Sequence, residues 1–116
     1  MVSIIVAGSR TFNDYDLLKE KLDELIKGRP DTEIVSGTAK GADLLGEKYA
    51  KERNFSIKRF PADWDKNGKS AGYIRNEEMA KYANACVCFW DGKSKGTQHM
   101  INLAKKYNLK IIVIKY

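Results

Sequence analysis

The sequence of 116 residues contains two cysteines, two prolines and a single histidine, and these shortages exclude several classes of protein. Metal centres are usually built from sets of cysteine, histidine and acidic side chains. With His99 as the sole histidine, neither a metal site nor a bound cofactor is predicted. No Ser–His–Asp or Cys–His arrangement is indicated either.

Long apolar runs are also missing. No segment approaches the roughly 20 apolar residues that cross a bilayer, and the sequence enters a strand pattern at Val2 without the layout of a signal peptide. We therefore expect a cytoplasmic protein without membrane contacts. Cys86 and Cys88 stand two residues apart in an apolar segment, so they should share one face of a buried strand as reduced thiols.

What is present fits one globular domain spanning residues 1–116, with 43% hydrophobic and 31% charged residues. The formal net charge is +6. A positive balance suits phosphorylated ligands or nucleic acid, while the alternative is that the lysines simply solvate helix surfaces.

Apolar segments and helical patterns alternate along the whole chain. Strands are predicted at Val2–Val6, Glu33–Ser36, Ser56–Phe60, Ala85–Trp90 and Lys110–Lys115. Helices are predicted from Asn13 or Asp14 to Gly28, over Gly41–Asn54, from Ala71 or Gly72 to Tyr82, and over Gln98–Tyr107, with Ala62–Ser70 irregular. The alternation indicates an α/β protein, a three-layer sandwich with a five-stranded parallel sheet, and we favour the strand order 3-2-1-4-5.

Glycine-containing loops follow the first, second and fourth predicted strands. In the assumed order these loops meet at the switch point of the sheet, where such folds bind ligands. A strand, a glycine loop and a helix N-terminus together favour an anion. The candidate ligand-binding residues of these loops are Gly8, Ser9, Arg10, Gly37, Thr38, Lys40, Gly41, Asp43, Asp91, Gly92, Ser94, Gly96 and Thr97.

Each candidate has an alternative that is purely structural. The Gly37–Gly41 loop is also explained as a tight turn, and Asp43 by the favourable charge at a helix start. Arg75, followed by Asn76 in the third helix, would either contact the ligand or pair within its own helix. Trp64 would either stack on a base or pack against the protein.

Familiar phosphate-binding motifs are absent. Only three residues separate Gly37 from Gly41, and the Gly-Lys-Ser triplets that start at Gly68 and Gly92 lack the preceding glycine of a Walker A loop. No Gly-x-Gly-x-x-Gly follows the first strand, which disfavours an ordinary dinucleotide-binding fold.

Four motifs taken together resemble the small YspA-related branch of the SLOG superfamily, the Rossmann-like domains named for the Smf/DprA DNA-processing proteins and the LOG phosphoribohydrolases. They are Gly8-Ser9-Arg10, Ser36 to Asp43, Pro61-Ala62-Asp63-Trp64 and Ala71 to Met79. The resemblance implies a nucleotide-derived ligand, held by the loops after strands one, two and four. It also implies a homo-oligomer.

One position departs from the LOG enzymes. Met100 occupies the place of their catalytic glutamate, three residues after the threonine of the Gly96-Thr97 pair, and a thioether cannot transfer a proton. Any catalytic acid would have to be found among Asp43, Asp63, Glu77 and Asp91. We therefore expect the chain to bind or sense a nucleotide-derived phosphate ligand: a nucleoside phosphate, an ADP-ribose-like compound or a cyclic nucleotide. The alternatives are a nucleotide phosphoribohydrolase or related N-glycosidic hydrolase, and binding of single-stranded nucleic acid.

Overall fold

The computed structural model describes residues 2–116 and contains one five-stranded parallel sheet in the order β3-β2-β1-β4-β5. The predicted order and the parallel α/β architecture are thus confirmed. The strands are β1 (Val2–Gly8), β2 (Thr32–Ser36), β3 (Ser56–Arg59), β4 (Ala85–Trp90) and β5 (Lys110–Lys115). The helices are α1 (Tyr15–Ile26), α2 (Ala42–Arg53), α3 (Trp64–Asn67), α4 (Ala71–Tyr82) and α5 (Lys95–Lys106).

The structure departs most from the sequence prediction in two places, and a local hydrogen bond explains each difference. The segment predicted to be irregular contains α3 and a 3₁₀ turn over Gly68–Ser70, because the Asp63 carboxylate accepts a hydrogen bond from the Lys66 amide at 3.1 Å. Helix α5 begins at Lys95 rather than Gln98, since the Ser94 hydroxyl caps it by accepting from the Thr97 amide.

Each face of the sheet carries its own apolar core, because alternate residues of a strand point in opposite directions. Ile4, Val6 and Val87 belong to the core shared with α1 and α2. Cys86 and Cys88 face the other core, which includes side chains of α4 and α5, and both are buried, free thiols with their sulfurs 3.4 Å apart. The prediction of reduced core cysteines is confirmed.

The switch point lies between β1 and β4. Strand β1 pairs with β2 on one side and with β4 on the other. The chain therefore leaves the ends of β1 and β4 in opposite directions, and a crevice opens between the two connections. Gly8 stands at its base, where a Cβ would lie 2.8 Å from the Ala42 Cβ and clash with the Phe89 carbonyl. Close packing thus requires glycine here.

Among residues 2–116, none of the helices combines the length and the apolar character needed to cross a bilayer.

Candidate functional site

A cleft of about 260 Å³ lies at the carboxyl edge of the sheet, above the switch point. Strand β1, the loop before α2, helices α3 and α4, and the start of α5 all contribute to its walls. The lining residues are Ala7, Gly8, Arg10, Ala39, Asp43, Trp64, Lys69, Gly72, Tyr73, Arg75, Asn76, Met79, Ser94, Gly96, Thr97 and Met100.

A half-buried arginine connects helix α4 to the loop between β2 and α2 at the floor of the cleft. Arg75 projects from α4 and donates hydrogen bonds to the Gly37 carbonyl and to Asn76 Oδ1, the latter at 2.9 Å. A Cβ on Gly37 would lie 2.7 Å from both Arg75 Nη1 and Asp43 Oδ2. Position 37 therefore has to be glycine if the guanidinium and the carboxylate are to approach this loop. Arg75 thus pairs within α4, through Asn76, and also contacts the loop between β2 and α2, through Gly37.

Asp43 is a buried carboxylate in the first turn of α2, with 5% of its surface exposed. Its Oδ2 accepts a hydrogen bond from the Ala39 amide at 3.2 Å. Burial raises the pKa of Asp43 to about 6, although the Ala39 amide and the charges of Arg75 and Arg10 act in the opposite direction. Burial also lowers the pKa of Arg75, against the attraction of Asp43.

The loop between β2 and α2 is fixed by a buried polar network. The Ser36 hydroxyl donates to Glu47 Oε2 at 2.7 Å and accepts from the Thr38 amide at 3.0 Å. Glu47 is in turn paired with Arg59 at 2.9 Å. Thr38 has a φ of 65°, an unusual backbone conformation for a residue other than glycine. These contacts hold the loop in the shape that presents Gly37 and Ala39 to the floor of the cleft.

The loop between β4 and α5 is organised by Asp91. Its Oδ1 accepts hydrogen bonds from the Lys93 and Ser94 amides, both at 2.8 Å. These bonds lower the pKa of Asp91. The Ser9 hydroxyl accepts from the Asp91 amide at 3.2 Å, which ties this loop to the one after β1. Ser9 and Asp91 therefore shape the rim of the cleft, while Ser94 and the buried Thr97 reach its lining.

A second cluster supports the side of the cleft between α4 and α5. The buried Asn76 donates from Nδ2 to the Gly96 carbonyl at 3.4 Å and lies 3.3 Å from His99 Nδ1. The His99 ring contacts the Tyr73 ring edge to face, with centroids 4.5 Å apart. Burial lowers the pKa of His99, so the ring stays neutral at physiological pH.

Two large aromatic side chains stand at the mouth of the cleft. Trp64 is 53% exposed and Tyr73 is 49% exposed, although both line the cleft. Exposed aromatic rings beside a cationic cleft are typical of surfaces that stack on bases. Trp64 is thus not part of the core, and packing against the protein as a lid stays the alternative to a stacking role.

The structure brings together only part of the predicted set. The lining includes nine of the predicted ligand-binding residues: Gly8, Arg10, Asp43, Trp64, Arg75, Asn76, Ser94, Gly96 and Thr97. The remaining seven lie in the surrounding loops outside the lining: Ser9, Gly37, Thr38, Lys40, Gly41, Asp91 and Gly92.

The four candidate acids have different environments. Within residues 2–116, Asp43 is the only carboxylate of the cleft lining. Asp63 caps α3, and Asp91 holds its own loop. Glu77 accepts from the Tyr107 hydroxyl at 3.0 Å, away from the cleft. Met100 does line the cleft, so the position of the LOG glutamate is in the site but carries a thioether.

Lining residues that the sequence reasoning missed include Lys69, Gly72, Tyr73 and Met79. A signal for two of them was present in the sequence. Gly72 and Met79 stand three residues before Arg75 and four after it, so a helix places all three on one face.

A five-stranded parallel sheet in the order β3-β2-β1-β4-β5, with a cleft at its switch point, defines a Rossmann-like fold. The sequence model of the YspA, cpYpsA-related SLOG family matches residues 2–67, and the chain belongs to this family. The resemblance inferred from the motifs is confirmed.

Three known proteins are similar to this chain, one in sequence and two in fold. The Gene 61 protein of Mycobacterium phage D29 is 33% identical over 119 residues, which cover 97% of this chain and 95% of that protein. DNA processing protein A from Streptococcus pneumoniae has the same fold, with a TM-score of 0.76 and 17% identity over 99% of this chain.

DNA processing protein A from Helicobacter pylori also has this fold, with a TM-score of 0.66 and 19% identity over 97% of this chain. The structure of that protein concerns its binding of single-stranded DNA. The chain spans 50% of the first of these DNA processing proteins and 64% of the second.

Proposed function

We propose that this chain binds a nucleotide in the cleft, with its phosphate near Arg10 and the start of α5, and its base against Trp64. The observation that carries the proposal is the placement of two guanidinium groups, a capped helix start and an exposed tryptophan around one cleft. An anion, a polar sugar and a flat base each find a matching surface there.

Arg10 is the group with the most freedom to bind phosphate. It is exposed and lines the cleft, whereas the guanidinium of Arg75 is occupied by Gly37 and Asn76. A guanidinium can bind phosphate through two parallel hydrogen bonds. Arg75 acts mainly by holding the floor of the cleft and by offsetting the charge of Asp43.

We propose that Asp43 and Asn76 interact with the sugar. Both are buried, with Asp43 5% and Asn76 7% exposed, and both belong to the lining. A carboxylate accepts hydrogen bonds from ribose hydroxyl groups, and an amide can both donate and accept. The cleft should therefore prefer a nucleotide to inorganic phosphate.

A thermal-shift screen against nucleoside phosphates, NAD, ADP-ribose, cyclic nucleotides and inorganic phosphate tests the proposal. A ligand at 100 times its dissociation constant stabilises by about 2.7 kcal/mol, which should raise the midpoint by roughly 10 °C. Arg10→Ala should weaken binding at least about tenfold, since hydrogen bonds to charged groups contribute about 1.5–3 kcal/mol. The matched control is Arg29→Ala, which replaces an exposed arginine that precedes β2 at the amino edge of the sheet. Equal affinity of both variants, or no shift with any nucleotide, would contradict the proposal.

Single-stranded nucleic acid is the second candidate ligand. The cleft is open, with exposed Trp64 and Tyr73 at its mouth, and the fold is that of a DNA processing protein whose structure concerns single-stranded DNA. In this case the nucleotide in the cleft would be one unit of a longer strand.

A further inference from the structure

The positive charge of this chain is concentrated in its last structural unit. Residues 92–116 contain six lysines and no acidic residue, while the preceding residues hold fifteen basic and fifteen acidic side chains. The net charge of +6 therefore resides in the α5–β5 unit and the loop before it. General solvation of helix surfaces would spread the excess charge along the chain, so this distribution calls for a local explanation.

The six lysines lie at two opposite edges of the sheet. Lys93 and Lys95 flank the start of α5 at the carboxyl edge, and Lys115 ends β5 at the same edge. We call these three the cleft-side lysines. Lys105, Lys106 and Lys110 lie at the end of α5 and the start of β5, at the amino edge away from the cleft. All six are exposed.

Aromatic rings accompany the cleft-side lysines. The Trp90 indole is fixed by donating from Nε1 to the Ser94 carbonyl at 3.1 Å, and Lys115 Nζ lies 5.5 Å from the centroid of its ring. Tyr116 is 48% exposed and contacts Phe12 edge to face. Cations interleaved with partly exposed aromatic rings are the surface that single strands use, with phosphates on the cations and bases on the rings.

This surface is continuous with the cleft. Ser94, between Lys93 and Lys95, lines the cleft and also accepts the hydrogen bond from Trp90. Strand β5 lies two positions from β1 in the sheet. Neighbouring strands are about 4.8 Å apart, so the ends of these two strands are separated by about 10 Å. A few nucleotides of an extended strand span that distance.

We propose that the cleft-side lysines form a second anion-binding surface, which contacts the phosphates adjacent to the nucleotide in the cleft. The ligand is then single-stranded nucleic acid that continues from the cleft across the start of α5 toward β5. This inference rests on the proposed nucleotide site and names the class of ligand that fills it.

Binding of a fluorescent dT12 oligonucleotide, measured by anisotropy between 50 and 300 mM salt, tests the proposal, with dTMP, an rU12 strand and inorganic polyphosphate as competitors. Lys93→Gln, Lys95→Gln and Lys115→Gln are combined in one variant. The matched control combines Lys105→Gln, Lys106→Gln and Lys110→Gln, which remove the same charge from the same unit. All six positions are exposed, and thermal unfolding of both variants verifies that they fold.

The cleft-side variant should bind dT12 with a salt slope smaller by about 2, because each phosphate contact to a single strand contributes about 0.7. At 0.1 M salt this corresponds to a loss of up to about 100-fold in affinity. The control variant should lose less than about threefold in dT12 affinity. The cleft-side variant should lose less affinity for dTMP than for dT12, although Lys93 and Lys95 flank the start of α5 near the proposed phosphate.

Three results would overturn the inference and leave the nucleotide site standing: equal losses in the two variants, dT12 binding no tighter than dTMP, or polyphosphate competing as well as dT12. Failure of dT12, rU12 and dTMP alike to bind, together with no shift for any nucleotide in the thermal screen, would instead overturn the proposed function itself. A preference between dT12 and rU12 would distinguish DNA from RNA as the source of the strand.

Discussion

Replacement of Asp43 by asparagine should stabilise this protein at neutral pH, even though the carboxylate makes a hydrogen bond in the folded state. The carboxyl is 5% exposed, and burial raises its pKa to about 6 from an ordinary value of 3.8. The folded state thus holds this proton more tightly than the unfolded state does. As the pH rises from about 4 to about 6, the unfolded chain loses the proton first, so the free energy of unfolding falls across this window.

The expected size follows from the displacement of the pKa. A difference of about two pKa units corresponds to about 3 kcal/mol at 1.36 kcal/mol per unit. Asparagine has the shape of the protonated acid, and its Oδ1 still accepts from the Ala39 amide, so Asp43→Asn avoids the cost of burying a charge. The variant should be more stable than the wild type by up to about 3 kcal/mol at pH 7 and equally stable near pH 4.

Urea unfolding at pH 4, 5, 6 and 7 measures this difference, and thermal unfolding at pH 7 should show a midpoint higher by roughly 10 °C. Asp16→Asn, at an exposed position of α1, controls for removal of a negative charge. A variant less stable than the wild type at pH 7 would refute the reasoning, because the carboxylate would then hold the fold together. A stabilised variant that binds nucleotide more weakly would identify Asp43 as a ligand-binding residue retained at a cost in stability.

Two further changes test the floor of the cleft and its chemistry. Gly37→Ala places a Cβ 2.7 Å from Arg75 Nη1 and should displace that guanidinium, weakening nucleotide binding at least about tenfold, since hydrogen bonds to charged groups contribute about 1.5–3 kcal/mol. Calorimetric titration measures this loss, and Ser56→Ala, at an exposed position that begins β3 at the opposite edge of the sheet, is the control. The second test is incubation with nucleoside monophosphates, in which chromatography measures the free base that is released. Release should stay at the background level, because Met100 supplies no proton. If free base is released, and Asp43→Asn abolishes that release, the protein is a glycosidic hydrolase.

The strand order and the location of the site at the carboxyl edge could be predicted from the sequence. Strand–helix alternation leaves few right-handed topologies, and the glycine loops after β1, β2 and β4 must meet wherever those strands are adjacent. Four motifs between Gly8 and Met79, taken together, also identified the family, which the sequence model then confirmed. Such features depend on local spacing and composition, and these are properties that a sequence displays directly.

Which side chains line the cleft and which only support it could not be predicted in this way. The patterns around Ser9 and Arg10 are equally suggestive in the sequence, yet the Ser9 hydroxyl is used by the Asp91 amide, whereas Arg10 lines the cleft. The partner of Arg75 is the Gly37 carbonyl, 38 residues away along the chain. Hydrogen bonds between distant segments and the burial of a single carboxylate depend on how the elements pack, and local sequence spacing does not encode that packing. The sequence by itself therefore determined the fold, the family and the edge that carries the site, while the tertiary structure decided which side chains line the cleft and which only support it.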